Sequence, residues 1–138
     1  AASVIPKTID INTNWNSYCS KGITNFPCEA AEFLKTKPPG NIFHTYEWGG
    51  FLIWQLPEFK TFVDGRMPAW KAENNISPYQ TYLETYQTRP GWQETLEKYK
   101  IDDILISPGT FLDLELSHGN YPYKPILKTQ FSILYSKN

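Results

Sequence analysis

The chain has 138 residues, a length typical of a single domain and sufficient to bury a hydrophobic core. Hydrophobic residues make up 41% and charged residues 20%, a composition typical of globular rather than disordered proteins. The 13 basic and 14 acidic side chains are spread along the sequence and give a net charge of -1, which argues against nucleic-acid binding because that function needs a basic surface. No apolar run approaches the roughly 18 residues of a membrane span.

The N-terminal part of the sequence differs from the rest. Residues 1–25 are polar and irregular, and we interpret them as a tether ahead of a single α/β domain over residues 26–138. Neither an initiator Met nor the features of a signal peptide are present, so we expect the chain to be part of a longer protein. Cys19 and Cys28 are the only cysteines, and a disulfide between them is as plausible as two separate thiols. Their spacing does not indicate zinc, and we expect no metal and no cofactor.

The first half of the domain predicts a helix, a strand, a second helix and a second strand. Pro27 begins the first helix, and Pro38 follows its end. Residues 41–45 are predicted to form a buried strand and residues 46–56 a helix, although the run Phe-Leu-Ile-Trp within this helix also fits a strand. Residues 61–63 form the next predicted strand.

The second half predicts two helices, a strand, a third helix and a C-terminal hairpin. Trp92, Leu96 and Tyr99 lie on one face of the second of these helices and are expected to pack inward. Because helices separate the first three strands, the pattern predicts an α/β fold. We expect an open, mostly parallel or mixed sheet of about five strands, with helices on its faces and an antiparallel hairpin at the C-terminus. The elements of this half cover residues 77–87, 92–99, 101–107, 110–117, 125–130 and 131–136.

A ligand site is expected at one edge of this sheet. In open α/β sheets, ligands bind beyond the carboxyl ends of the parallel strands. Three segments are predicted to meet there: residues 45–49, 64–66 and 107–110, each of which follows one of the first three strands. The motifs Tyr-Glu-Trp-Gly-Gly and Asp-Gly-Arg would then be neighbours.

The first motif supplies the candidate binding residues Tyr46, Glu47, Trp48 and Gly49. The N–H groups of a helix N-terminus face a ligand in this interpretation, and Gly49 with Gly50 permits its close approach. Glu47 would accept hydrogen bonds from the ligand, and Trp48 would pack on it. The alternative is structural: Glu47 favours the helix dipole, and Trp48 fills the core.

The second motif supplies the candidate binding residues Asp64 and Arg66. Asp64 would accept a hydrogen bond from a ligand, and Arg66 would donate to a carboxylate or phosphate. The alternative is an Asp-Gly turn clamped by the arginine. Glu47 with Asp64 also fits a two-carboxylate pair like that of a glycosidase. No nucleophile–base pair emerges, so we assign no catalytic residue; His44 is expected in the core and His118 in an exposed turn.

Three segments carry a resemblance to a known family: FPCEAAEFLK, GNIFHTYEWGGFLIWQLPEFKTFVDGRMPAW and GWQETLEKYKIDDILIS. Within residues 26–107 they resemble the soluble C-terminal region of multi-span membrane glycosyltransferases that use lipid-phosphosugar donors, of the protein mannosyltransferase and aminoarabinose transferase kind. The chain is more distantly similar to oligosaccharyltransferase catalytic subunits, in which a WWDYG motif after a strand helps to hold the acceptor peptide. Residues 46–50 lie in a comparable place but lack the Trp pair and the Asp-Tyr order.

The resemblance implies a function for this domain. In such families the catalytic acids and any metal ligands lie in loops between membrane helices, which this chain does not contain. We therefore expect an extracytoplasmic domain of a membrane protein, not catalytic alone, that positions an acceptor peptide or glycan or another partner for the membrane-embedded remainder of the same chain. Two alternatives stay open: a free-standing glycan- or peptide-binding module that uses exposed aromatic residues such as Trp48 or Trp70, and a small hydrolase that uses Glu47 and Asp64.

Overall fold

The computed structural model describes residues 26–62 and 77–137, and it confirms the predicted α/β fold. Its five helices and five strands alternate over most of the described chain, and a 3-10 turn at Tyr46–Trp48 precedes the second helix. In chain order the elements are α1 (Cys28–Leu34), β1 (Asn41–His44), α2 (Gly49–Gln55), β2 (Lys60–Thr61), α3 (Pro78–Tyr86), α4 (Trp92–Lys98), β3 (Asp103–Ile106), α5 (Phe111–His118), β4 (Tyr123–Lys128) and β5 (Ile133–Lys137).

The sheet is open and mixed, as predicted, with the strand order β2-β1-β3-β5-β4. Strands β2, β1 and β3 are parallel, whereas β5 runs antiparallel to β3 and pairs with β4 in the C-terminal hairpin. The central strand is β3, in which every residue is buried. An uninterrupted apolar run is typical of a strand that is covered on both faces, and it explains the Ile-Leu-Ile sequence of β3.

Two hydrophobic cores lie on the two faces of the sheet because successive side chains of a strand point to opposite sides. In β1, β3 and β5, the residues Phe43, Ile104 and Tyr135 belong to a core with α3, α4 and α5. The alternate residues Ile42, Leu105 and Leu134 belong to a second core with α1 and α2. The predicted helices therefore sandwich the sheet.

Several local predictions need correction, including those for the hairpin, whose strands were placed at residues 125–130 and 131–136 but cover Tyr123–Lys128 and Ile133–Lys137. The second strand was placed at residues 61–63, but β2 covers Lys60–Thr61, because the amide of Lys60 already donates to the Gly40 carbonyl ahead of β1, 3.0 Å away; residue 63 lies outside the described part. Tyr99 was expected to pack inward, but it follows the last residue of α4, its ring meets Phe62 edge-on, and 43% of its surface is exposed.

A partly buried ion pair ties the segment after α1 to the centre of the sheet. The Nζ atom of Lys37 lies 2.7 Å from Oδ1 of Asp103 and 2.6 Å from Oγ of Ser136. The hydroxyl of Ser136 also donates to the same carboxylate oxygen, over 2.8 Å. Because the Asp103 side chain is only 3% exposed, Lys37 supplies the charge that compensates a buried carboxylate.

Replacing Lys37 should therefore lower the free energy of unfolding much more than replacing an exposed lysine. We expect Lys37→Met to lower the free energy of unfolding by about 3 kcal/mol, because it leaves the Asp103 charge buried without a cation. The matched control is Lys35→Met, which breaks the exposed pair between Lys35 and Glu32 and should cost less than about 0.5 kcal/mol. Urea unfolding measures both values, and equal losses would contradict this role of Lys37.

The side chain of Tyr123 makes the stability of the fold depend on pH in the alkaline range. Its hydroxyl donates to the buried carbonyl of Ile101 over 2.7 Å, and its ring belongs to the core on the α3–α5 face. Burial, with a smaller effect of the Asp102 carboxylate, raises the pKa of Tyr123 to about 12. The folded state therefore favours the neutral phenol, whereas the unfolded chain ionises near the ordinary tyrosine pKa of about 10.

Because the pKa is raised on folding, this stabilisation is complete below about pH 10 and is lost as the pH rises towards about 12. Over that interval the wild type should lose about 2 kcal/mol more unfolding free energy than Tyr123→Phe, which has no phenol to ionise. Between pH 7 and 9 the unfolding free energies of the two proteins should differ by a constant amount, which serves as the internal control. Parallel stability curves up to pH 12 would be incompatible with a raised pKa at this site.

Candidate functional site

The segments that follow β1 and β3 meet at the end of the sheet, as the parallel pairing of these strands requires. The amide of Thr45 donates to the Leu105 carbonyl over 3.1 Å. The amide of Ser107 donates to Oγ1 of Thr45 over 3.3 Å. Residues 45–50 and 107–111 therefore form one continuous surface, which we call the carboxyl edge.

The first of these segments begins with a 3-10 turn rather than with an α-helix. The amide of Trp48 donates to the Thr45 carbonyl over 3.0 Å, and the amide of Tyr46 donates to the hydroxyl of Tyr82 on α3 over 2.8 Å. Two N–H groups that the sequence interpretation left for a ligand thus have acceptors within the protein. The turn is held against α3 by this bond.

Tyrosine side chains from α3 pack against the 3-10 turn and the residue before it. Tyr82 is 4% exposed and stacks on Phe43, while Tyr79 meets the Tyr46 ring edge-on with 5.0 Å between centroids. The hydroxyl of Tyr86 lies 3.3 Å from Oγ1 of Thr45. Burial raises the pKa of Tyr82 well above its ordinary value, so its hydroxyl stays neutral over the physiological range. The tyrosine spacing on α3 is explained by this packing.

The four candidate residues of the first motif occupy different environments. Glu47 is exposed and Tyr46 is half-buried. Trp48 is 5% exposed and belongs to the core with α1 and α2, where the structural alternative places it. Gly49 is buried, whereas a Cβ atom on Gly50 would meet no other atom within 4 Å. Among these residues, Glu47 is therefore the side chain most available to a ligand.

The two candidate residues of the second motif, Asp64 and Arg66, lie outside the described residues. The proximity of Asp64 to Glu47 and the arginine clamp stay predictions. Cys28 is disulfide-bonded. Cys19 also lies outside the described part of the chain, so its pairing with Cys28 stays a prediction.

His44 lies in the core and His118 is exposed, as predicted, but His118 is the last residue of α5 and does not lie in a turn. His44 is fully buried, and its Nδ1 atom lies 2.9 Å from the Thr45 carbonyl oxygen, which makes this nitrogen the donor. His118 is exposed at the end of α5, with Nδ1 2.8 Å from the Leu114 carbonyl oxygen. Across the described residues, no three side chains of His, Cys, Asp or Glu are grouped so that they could hold a metal ion.

The second segment of the carboxyl edge is fixed by Asp113, which our sequence interpretation missed. Its Oδ2 atom accepts from the Gly109 amide over 2.8 Å, and its Oδ1 atom accepts from the Tyr135 hydroxyl over 2.6 Å. Its own amide donates to the side chain of Thr110, which caps α5. Burial and this hydrogen bond to Asp113 raise the pKa of Tyr135. The spacing Thr-x-x-Asp is a capping signal that the sequence does contain.

Beside this rigid loop the edge exposes apolar side chains. Phe111, the first residue of α5, is 66% exposed, and Leu114 one turn later is 49% exposed. Exposed apolar side chains in a group are typical of interaction surfaces, although single ones are common. The carboxyl edge thus combines an exposed carboxylate on one segment with an exposed ring on the other.

Comparison with known proteins leaves the family open. No family model matches the chain, and neither a characterised protein nor a solved structure is significantly similar to it. None of the helices in the described ranges is long and apolar enough to cross a bilayer.

The hydrogen bond between Tyr46 and Tyr82 provides a test of this geometry. We expect Tyr82→Phe to lower the free energy of unfolding by about 1–3 kcal/mol, because the Tyr46 amide would lose its acceptor. Tyr79→Phe is the control, since it keeps the ring contact with Tyr46 and should change stability by less than about 0.5 kcal/mol. If chemical denaturation gives equal values for the two variants, the turn is not held by the Tyr82 hydroxyl.

Proposed function

We propose that this chain is an extracytoplasmic domain of a membrane-embedded glycosyltransferase-like protein. It is not catalytic alone, and its role is to position an acceptor for the membrane-embedded remainder of the protein. The observation that carries the proposal is the exposed carboxylate of Glu47 on the carboxyl edge, held on a turn whose backbone is bonded to α3. A backbone fixed in this way does not have to be ordered when a ligand binds, which reduces the entropic cost of binding.

The neighbouring segment supports a role in binding. Phe111 presents an exposed ring at the start of α5, and the loop before it is fixed by Asp113. A surface that presents both a carboxylate and an aromatic ring suits a hydroxyl-rich or amide-rich acceptor, since the carboxylate accepts hydrogen bonds and the ring packs against C–H groups. Sugars and peptides both have this chemistry.

Two further features agree with an extracytoplasmic location. Cys28 is disulfide-bonded, and disulfides persist mainly in oxidising compartments. The sequence segments within residues 26–107 resemble extracytoplasmic domains of multi-span glycosyltransferases. The free-standing binding module needs exposed aromatic platforms, and the core position of Trp48 removes one of its candidates.

The test uses membranes that contain the full-length protein encoded by the gene. We expect that protein to carry several apolar stretches of about 20 residues. Glu47→Gln and Phe111→Ala should each raise the KM for the acceptor roughly tenfold while kcat changes little, as for a lost binding contact. The controls are Glu58→Gln and Ile126→Ala, which alter an exposed carboxylate and an exposed apolar side chain elsewhere.

Three results would contradict the proposal. One is turnover by the isolated 138-residue chain, which would favour the hydrolase alternative. Another is a gene that encodes a signal peptide and no membrane spans, which would favour the free-standing module. The third is an acceptor KM that Glu47→Gln and Glu58→Gln leave equally unchanged.

A further inference from the structure

A concave surface lies at the opposite end of the sheet from the carboxyl edge. It is a groove of about 570 Å³ beside the amino-terminal ends of β1 and β3 and along β2. This volume falls in the range of small-molecule sites. Its walls include three basic, one amide and two aromatic side chains: Lys60, Lys98, Lys100, Asn41, Phe62 and Tyr99.

The charge of this groove has one sign. All its charged lining residues within the described ranges are lysines, and all three are exposed. The ion pairs of the described chain involve Lys35 and Lys37 instead, so Lys60, Lys98 and Lys100 have no carboxylate partner there. The Asp102 carboxylate beside the groove is engaged with the backbone, since its Oδ2 atom accepts from the Asn41 amide over 2.9 Å. Three lysines around one cavity that have no ion-pair partner among the described residues favour an anionic ligand.

Lys100 lies at the groove in an uncommon backbone conformation. Its φ angle is +53°, in the left-handed region that costs stability for any residue with a Cβ atom. Lys100 follows the last turn of α4, where the Ile101 amide donates to the Leu96 carbonyl over 3.0 Å. Glycine is the usual residue at this position of a helix end. This turn at the end of α4 places Lys100 at the groove.

The strained turn is also held rigidly. The Nδ2 atom of Asn41 donates to the carbonyl of Lys100 over 3.0 Å and to that of Tyr99 over 3.3 Å. Asn41 thus acts as a positioning residue that fixes this turn against β1. A fixed backbone reduces the entropy that a ligand must overcome when Lys100 binds it.

Two aromatic side chains of the groove, Phe62 and Tyr99, indicate what else the ligand contains besides an anionic group. Phe62 and Tyr99 meet edge to face, with 5.0 Å between their centroids, and Tyr99 remains 43% exposed. The Nζ atom of Lys98 lies 5.6 Å from the Tyr99 centroid, which places positive charge directly beside this ring. A ligand that fits must therefore combine an anionic group with a ring or another apolar body.

We propose that this groove binds a small organic phosphate. Its phosphate contacts Lys60, Lys98 and Lys100, and its organic body packs on Phe62 and Tyr99. A phosphate monoester carries close to two negative charges at neutral pH, which complements three monovalent cations better than a single carboxylate does. Lysine also binds phosphate well as a point charge. This site does not depend on the function proposed for the carboxyl edge.

The test is a titration of the ¹⁵N-labelled full chain with phenyl phosphate, followed by amide NMR shifts. We expect saturating shifts centred on residues 60–62 and 98–101. Inorganic phosphate should bind more weakly because it lacks the ring, and phenol should not saturate because it lacks the charge. Vesicles containing an anionic phospholipid form a separate arm, since a lipid headgroup offers the same phosphate chemistry.

The structure offers a matched pair of variants. Thr88 follows the end of α3 and has the same left-handed conformation, with φ +53°. It does not line the groove. Lys100→Gly and Thr88→Gly should therefore both raise the midpoint of thermal unfolding by relieving strain. Only Lys100→Gly should weaken phenyl phosphate binding, roughly tenfold for one lost charge-assisted hydrogen bond.

Three outcomes would overturn the proposal. The first is the absence of saturating shifts at the groove. The second is equal affinity in Lys100→Gly and Thr88→Gly, which would show that the lysine does not contact the ligand. The third is saturable binding to the anionic vesicles without saturation by phenyl phosphate, which would assign the lysines to a lipid surface instead of a small-molecule site.

Discussion

The interior position of β3 is the constraint on which the rest of the structure depends. This strand is hydrogen-bonded to β1 on one side and to β5 on the other, and helices cover both of its faces. Its one charged residue, Asp103, is buried and therefore needs Lys37 from the segment after α1. The burial of one strand thus determines the two cores, the ion pair and the positions of the flanking segments.

The parallel pairing of β1 with β3 also separates the two ends of the sheet. At the carboxyl edge the backbone is fixed by hydroxyl and carboxyl groups of the protein, and Glu47 remains exposed. At the amino end a groove is lined by lysines and aromatic rings. One end therefore presents an exposed acceptor of hydrogen bonds, and the other presents cations.

Sequence patterns predicted the elements well because apolar runs, prolines and capping residues act locally. The Ile-Leu-Ile run of β3 and the Thr110 cap are examples. The groove was not predicted, because it depends on β2 lying beside β1 and on a strained helix end, and neither follows from residue spacing. The core position of Trp48 stayed one of two alternatives, since an aromatic residue before two glycines fits a ligand contact and a core position equally.

Native-state hydrogen exchange tests most directly whether the carboxyl edge is held by the central sheet. We predict that the Tyr46 amide, bonded to Tyr82, exchanges through the same global unfolding as the amides of Ile104 and Leu105 in β3. Their opening free energies should then agree with one another and with the free energy of unfolding measured with denaturant. A Tyr46 amide that opens at a much lower free energy than β3 would contradict a preformed edge.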